Sequence, residues 1–318
     1  MAPIEARLKD VLDETRLAML GAQLLMGLQY RAAFTPGFAR LPDMFRWLAG
    51  VALMLILASV ALLLSTPSFH QLAEQGHATA RMLDRASGFL KWALAPLAGA
   101  LGIDIALALG ADTGPFGAAL AGLGFLLAAA TMWFAFPFYA LSRKDRREEG
   151  EAMEDKQQSL ETRIVQALTE IRVILPGAQA LFGFQVTAVL TEEFGRLPEA
   201  SRYVHLASTG LVAAAVIMLI APAAYHRIVA RGNAEEGVLK YAVRMMLPAE
   251  GLIAAGLVGD TYVTMRLISG SEATALAVSA AALAGFTTLL YVFPLMARRR
   301  RTPVGGSPAS GMPGRTAG

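Results

Sequence analysis

Two aspartates, Asp104 and Asp260, stand 156 residues apart, each well inside an apolar stretch. An ionisable group inside a span is costly to hold there and is read first as functional. Low-dielectric surroundings favour the neutral form of a carboxyl group, which allows proton exchange near neutral pH. Both aspartates fall toward one end of their stretches. There they could instead reach water or pair with Arg31, Arg46 or Arg202. Glu250 lies deeper, beside Pro248, but the residue 156 positions before it is Leu94. Gln23, Gln29, Gln179 and Gln185 add amides to the same apolar context. Together these seven residues could line a path for a proton, an ion or a polar solute. The plainer reading is interhelical glue. Amides in spans bond across helices, Gly21 and Gly27 permit close backbone approach, and Gln23 could meet its equivalent Gln179.

His70 and His226 each follow an aromatic residue, Phe69 and Tyr225. Histidine titrates near physiological pH and ligates metals. Without a carboxylate or cysteine at ligand spacing, this pair makes a poor metal site. The expectation is that Phe69-His70 and Tyr225-His226 are interfacial anchors, with ring below and polar group at the headgroups. The chain has no cysteine, which excludes disulfides, thiolate catalysis and Cys-ligated metal. No Walker loop, Rossmann glycine pattern, nucleophile elbow or H-E-x-x-H occurs. Neither enzymatic activity nor a metal or other cofactor is expected.

The elements that position these residues come from a duplication. Residues 5–46 and 161–202 align without a gap, with 18 identities in 42 positions. The signature Glu14, Arg16, Gly21 returns as Glu170, Arg172, Gly177, and Gln23 and Gln29 return as Gln179 and Gln185. Glu14 and Arg16 are two apart and point to different faces of a helix, whereas Arg16 and Gln23 share one. The correspondence extends through Phe69-His70 and Tyr225-His226 to Asp104 and Asp260. It ends with Phe136-Pro137 and Phe293-Pro294 one residue out of step.

Mean hydropathy is +0.48, with 55% hydrophobic and only 17% charged residues. Soluble domains carry about 25% charge, and so apolar a chain would aggregate in water. Each half offers four apolar stretches, near 17–34, 45–65, 89–110 and 116–141, then 173–191, 203–224, 243–268 and 273–297. The first of each half is the weakest. In lipid the backbone must satisfy its own hydrogen bonds, and the Ala, Gly and Leu content favours helices over barrel strands. The fold expected is an all-α integral membrane protein, eight transmembrane helices in two parallel four-helix repeats. The units are 1–142, with an amphipathic N-terminal helix; a charged cytoplasmic linker, 143–159; a second repeat, 160–301; and a disordered tail, 302–318.

Basic residues fix the orientation. With the N-terminus inside, 22 of the 28 Lys and Arg residues fall on the cytoplasmic side. Both termini then face the cytoplasm, and an even number of spans per half gives both halves the same sense of insertion. Arg143 to Arg147 and Arg298 to Arg301 read as topology anchors that attract anionic lipid headgroups. The N-terminus (Ile4, Leu8, Val11, Leu12) and the linker's end (Leu160, Ile164, Leu168, Ile171) show helical apolar spacing, so each half is expected to begin with an amphipathic cytoplasmic helix that runs into its first span, at headgroup level. Residues 1–30 do not form a secretory signal, because Glu5, Asp10, Asp13 and Glu14 spoil its basic region.

The run E-I-R-V-I-L-P-G-A-Q-A-L-F-G-F-Q at 170–185, followed by A-P-A-A-Y-H-R-I at 221–228, resembles a widespread family of small bacterial membrane proteins classed as a domain of unknown function. Its members usually carry one four-span unit, and some are labelled sodium:proton antiporters in automatic annotation. The second half matches well. The first half is looser, with Leu20 in place of Pro176 and S-T-P-S-F-H-Q-L in place of the second motif. The resemblance implies a fused tandem pair, single-unit relatives that dimerise, and a place in the bacterial cytoplasmic membrane.

Two classes of function fit. One is a structural or regulatory membrane bundle. The other is a small secondary transporter or channel, cation or proton coupled, with Asp104 and Asp260 as its titrating groups. A transporter should turn those carboxylates toward a shared polar cavity, whereas a scaffold should leave them snorkelling outward and pack the glutamine rows without a cavity. The partners expected are the bilayer and the other repeat, with room for a homo-oligomer. Nucleic acid has no support beyond a pI of 9.3.

Overall fold

The computed structural model describes residues 4–135, 160–228 and 235–299. Among these, all regular structure is helical. The charged linker, the tail, Phe136-Pro137, the whole first basic cluster and Arg300 and Arg301 of the second lie outside the described residues. The first half holds α1 (Ile4–Ala33), the short α2 (Pro36–Ala39), α3 (Asp43–Leu72) and α4 (Ala80–Ala130), which runs into a π-helical turn, Thr131–Ala135. The second half holds α5 (Leu160–Val189), α6 (Glu192–Arg196), α7 (Glu199–Ile228) and α8 (Glu236–Ser269). Then come α9 (Glu272–Thr287), a π-helical turn (Thr288–Val292) and α10 (Phe293–Arg299).

The bounds keep the 156-residue step. Helix α1 maps onto α5 and α3 onto α7 end for end, and α4 and α8 begin at Ala80 and Glu236. Helix α4 is two helices joined at Gly114, which has φ 70°, and α8 stops at Gly270, with φ 64°. A left-handed turn between two packed helices favours glycine, which has no Cβ to clash, and both copies use one at the same place. The two π turns are 157 apart, so one residue is gained between Gly270 and Thr288. Threonine caps recur as well. Thr35 and Thr191 accept from the amides of Phe38 and Phe194, satisfying otherwise unpaired helix N–H groups.

Among the described residues, five helices are long and apolar enough to cross a membrane: Asp43–Leu72, Ala80–Leu109, Glu199–His226, Glu236–Ser269 and Glu272–Arg299. Gly114–Ala130 is apolar but shorter. Helices α1 and α5 are long but too polar to qualify on composition. They lie at the centre of the bundle, packed on each other, with α3, α4 and α7, α8 on either side. One hydrophobic core runs through both halves, from Met19, Ala22 and Met26 on α1 to Ile174 and Leu181 on α5 and Ile253 and Leu257 on α8.

The amphipathic stretches run on into the first long helix of each half, α1 and α5, as expected, but they do not lie at headgroup level. Leu8, Leu12, Ile164 and Leu168 are buried in the bundle. Their apolar stripe is covered by protein, so it has no need of a lipid surface. At the same end Phe293 stacks on Phe69 with centroids 5.7 Å apart, and Phe89 meets both edge-on. The last helix of the second half is thereby fastened to α3 of the first.

Candidate functional site

Each half ties its inner aspartate to its own first helix. On the first side Gln29 of α1 donates Nε2 to both oxygens of Asp104 on α4, at 2.8 and 3.0 Å. On the second side Gln185 of α5 donates to Oδ2 of Asp260 on α8. The arginines considered as partners are not used; Arg46 pairs with Asp43 within α3.

Beyond that shared bond the halves differ. Asp260 is buried, and His205 of α7 places Nδ1 3.0 Å from its Oδ1. The other ring nitrogen, Nε2, lies 3.1 Å from the backbone oxygen of Gln185. A carbonyl oxygen only accepts, so Nε2 carries hydrogen. A second proton then bridges Nδ1 and the carboxylate, and the pair exists as imidazolium with carboxylate or as imidazole with carboxylic acid. Phe34 and Phe194 flank the ring at centroid distances of 5.6 and 5.5 Å. The position equivalent to His205 is Ala49. Beside Asp104, which is only half-buried, a cavity of about 300 Å³ remains. Gln29, Phe38, Ala49 and Asp104 line it, with Leu53 and, from the other half, Ile268. The two carboxylates therefore face separate spaces, one open and one filled.

The seam between α1 and α5 is closed. Gln23 is fully buried against Gly177, where an added Cβ would overlap its side chain, and its amide finds no partner among the described residues. Gln179 is exposed, so the two glutamines do not meet. The side chain of Phe184 covers Gly27. Of the glycines expected to allow close approach, Gly27 is met by the Phe184 side chain while Gly21 has nothing within 4 Å, and the amide bond across the seam is absent, because Gln23 packs on Gly177 and Gln179 is turned outward.

A second polar cluster lies at the other end of the bundle. His70 is fully buried, with Nδ1 on Oε1 of Glu170, and Gln71 donates to Oε2 of the same carboxylate at 2.6 Å. Ser68 donates to Glu250, also fully buried. The buried Glu74 accepts from Thr79 at 3.0 Å, and Arg81 lies 3.7 Å from its other oxygen. The anchor reading fails for Phe69 and His70, which sit in the core because α10 and α5 cover them. Tyr225 and His226 are half-buried, and Tyr225 stacks on Tyr241 at 4.7 Å. Of the signature residues Glu14, Arg16 and Arg172 are exposed. Among the described residues no three His, Asp or Glu side chains are grouped to hold a metal.

His205, Ser68 and Glu74 were not singled out in sequence. His205 has no counterpart in the first half, so the repeat that highlighted its partner passed it over. The same repeat decides the kinship. A model of the family of unknown function DUF6328 matches twice, over residues 4–137 and 153–294. The chain belongs to DUF6328. Its two matches cover the two halves, as a tandem pair would give, and the family's description assigns no activity. No curated protein and no solved structure matches the chain. Each DUF6328 unit here contributes one Gln–Asp bond, and only the second adds the histidine.

Proposed function

We propose that this DUF6328 chain is an eight-span protein of the bacterial inner membrane, made of two fused four-helix units inserted in the same sense. Its role is structural or regulatory, and it does not conduct a solute between the units. The closed seam carries this reading. Gln23 against Gly177 and Phe184 over Gly27 fill the interface where a path between repeats would run. Asp104 and Asp260 open onto no common space, as a titrating pair in a carrier would. The matching bounds of α1, α5, α3 and α7 support the fused-unit part of the proposal. Helices α1 and α5, with the shorter Gly114–Ala130, complete the count of spans; their neighbours bury Gln23, Glu170 and Gln185, while Glu14, Arg16, Arg172 and Gln179 stay exposed.

A second reading, coupled transport of protons or cations, draws on the fully buried Glu170 and Glu250 and the nearly buried Asp260. Such groups inside spans are rare without a purpose. Proton and sodium flux into proteoliposomes separates the two. The structural reading expects wild-type flux equal to that of empty vesicles. Flux that disappears in Asp104→Asn/Asp260→Asn would overturn it in favour of transport.

A further inference from the structure

The second half displays what the cavity in the first half lacks. Four residues make the closed site: Gln185, Phe194, His205 and Asp260. Their equivalents 156 positions earlier are Gln29, Phe38, Ala49 and Asp104, and all four line the 300 Å³ cavity. The cavity is thus the same cup with its imidazole removed. It keeps the carboxylate, the amide that holds the carboxylate in place and the aromatic wall.

We propose that this cavity is a binding site for a small organic cation bearing N–H donors and a compact apolar body, of the imidazolium or amine class. The site offers two acceptors, the Asp104 carboxylate and the Gln29 amide oxygen, beside the buried and unpartnered Thr264 hydroxyl, which can donate or accept. Gln29 commits Nε2 to Asp104. That leaves its own Oε1 buried and without a partner. Both acceptors call for a ligand that donates, the Thr264 hydroxyl can serve either role, and a positive charge is drawn by the carboxylate in a low-dielectric setting. Apart from Thr264 the remaining lining is apolar, with Ala32, Ala33, Phe38, Leu41, Leu53 and Ile268 among it. It suits a hydrocarbon or ring body and rejects a strongly hydrated inorganic ion. At roughly 30 Å³ per water, the space equals about ten waters, so the imidazole ring fits with room for a substituent. Asp104 is only half-buried, so a ligand can reach it. In the other half Asp260 is closed off by its own histidine.

This inference adds a ligand class to the regulatory reading above without resting on it. The probe is 4-methylimidazole, the side chain of histidine itself, added to the full chain in lipid nanodiscs at a pH where the probe is protonated. Calorimetric titration and thermal unfolding are followed together. Wild type should bind one equivalent saturably, with a rise in Tm. Ala49→His, which installs the missing ring, should lose that binding and unfold at a higher temperature than wild type without ligand. Asp104→Asn, which keeps the shape, should lose binding with an unchanged far-UV spectrum. Absence of saturable binding to wild type would overturn the proposal, and so would undiminished binding to Ala49→His. If Ala49→His does not fold, Ala49→Leu fills the same space and must also abolish binding. Flux measured in proteoliposomes with and without the probe stands apart. Binding without flux supports both readings, whereas flux without binding removes both.

Discussion

His70 of α3 and Glu170 of α5 meet across the seam between the halves, imidazole to carboxylate, both fully out of solvent. The equivalent pair would be His226 and Glu14, and it does not form. Glu14 is exposed and His226 half-buried. Removing one partner of a buried hydrogen bond costs about 1–3 kcal/mol, because the other is left unsatisfied. Surface substitutions usually stay within about 0.5 kcal/mol. His70→Ala should therefore lower the Tm of the purified protein sharply, while His226→Ala leaves it nearly unchanged. Equal effects would mean that the two halves exchange roles in the membrane.

Gly177 and Gly21 form a second unequal pair. A Cβ at Gly177 would come within 3.0 Å of the Cβ of Gln23 and overlap the atoms beyond it, whereas at Gly21 nothing lies within 4 Å. Overpacking a core costs about 1–3 kcal/mol. Glycine in a helix interior is itself less favourable than alanine by about 1 kcal/mol. Gly21→Ala should then be neutral or stabilising and Gly177→Ala destabilising. The double variant Gly177→Ala/Gln23→Ala should recover much of the loss in a thermal melt.

The fold was largely legible in the sequence, and the site was legible only in part. The ungapped repeat and the period of apolar stretches placed α1, α3, α5 and α7 and put Gln29 with Gln185, and Asp104 with Asp260, at equivalent positions, but the bond from each glutamine to its aspartate is known only from the structure. What repetition cannot convey is which copy faces inward. Gln23 is buried and Gln179 exposed, Glu170 buried and Glu14 exposed, although each pair is identical in type. Two equivalent helices pack against each other here, and their shared face has room for one side chain of each kind. Differences between copies carry the rest of the information. His205 against Ala49 decides whether the cup is filled, and a reading that seeks agreement between repeats overlooks that position.

The cup itself can be moved from one half to the other. Truncating His205 removes a buried ring flanked by Phe34 and Phe194 and leaves Asp260 with Gln185 alone. His205→Ala should lower Tm and create a second site for 4-methylimidazole, so that the stoichiometry rises from one to two and added ligand restores the melt. Asp260→Ala leaves both His205 Nδ1 and the Gln185 amide without an acceptor, at about 1–3 kcal/mol for each buried orphan. It should destabilise more than Asp104→Ala, which strands only Gln29 in a half-open cavity. Thermal melts of the three variants, with and without ligand, give both results.

The sense of insertion is open to direct chemistry, because the chain contains no cysteine and any introduced thiol is unique. His77 is exposed between α3 and α4, on the side that the lysine and arginine count assigns to the cytoplasm. Arg40 and Arg196 are exposed at the ends of α2 and α6, assigned to the outside, and they are equivalent residues of the two units. A membrane-impermeant maleimide applied to intact cells should label Arg40→Cys and Arg196→Cys alike, and His77→Cys only after the membrane is opened. Labelling of Arg40→Cys without Arg196→Cys would mean that the units thread the bilayer in opposite senses. The pseudo-twofold relation between α1 and α5 would then have to run in the plane of the membrane. Equal labelling of both supports an axis along the normal, as the even number of spans proposed for each unit requires.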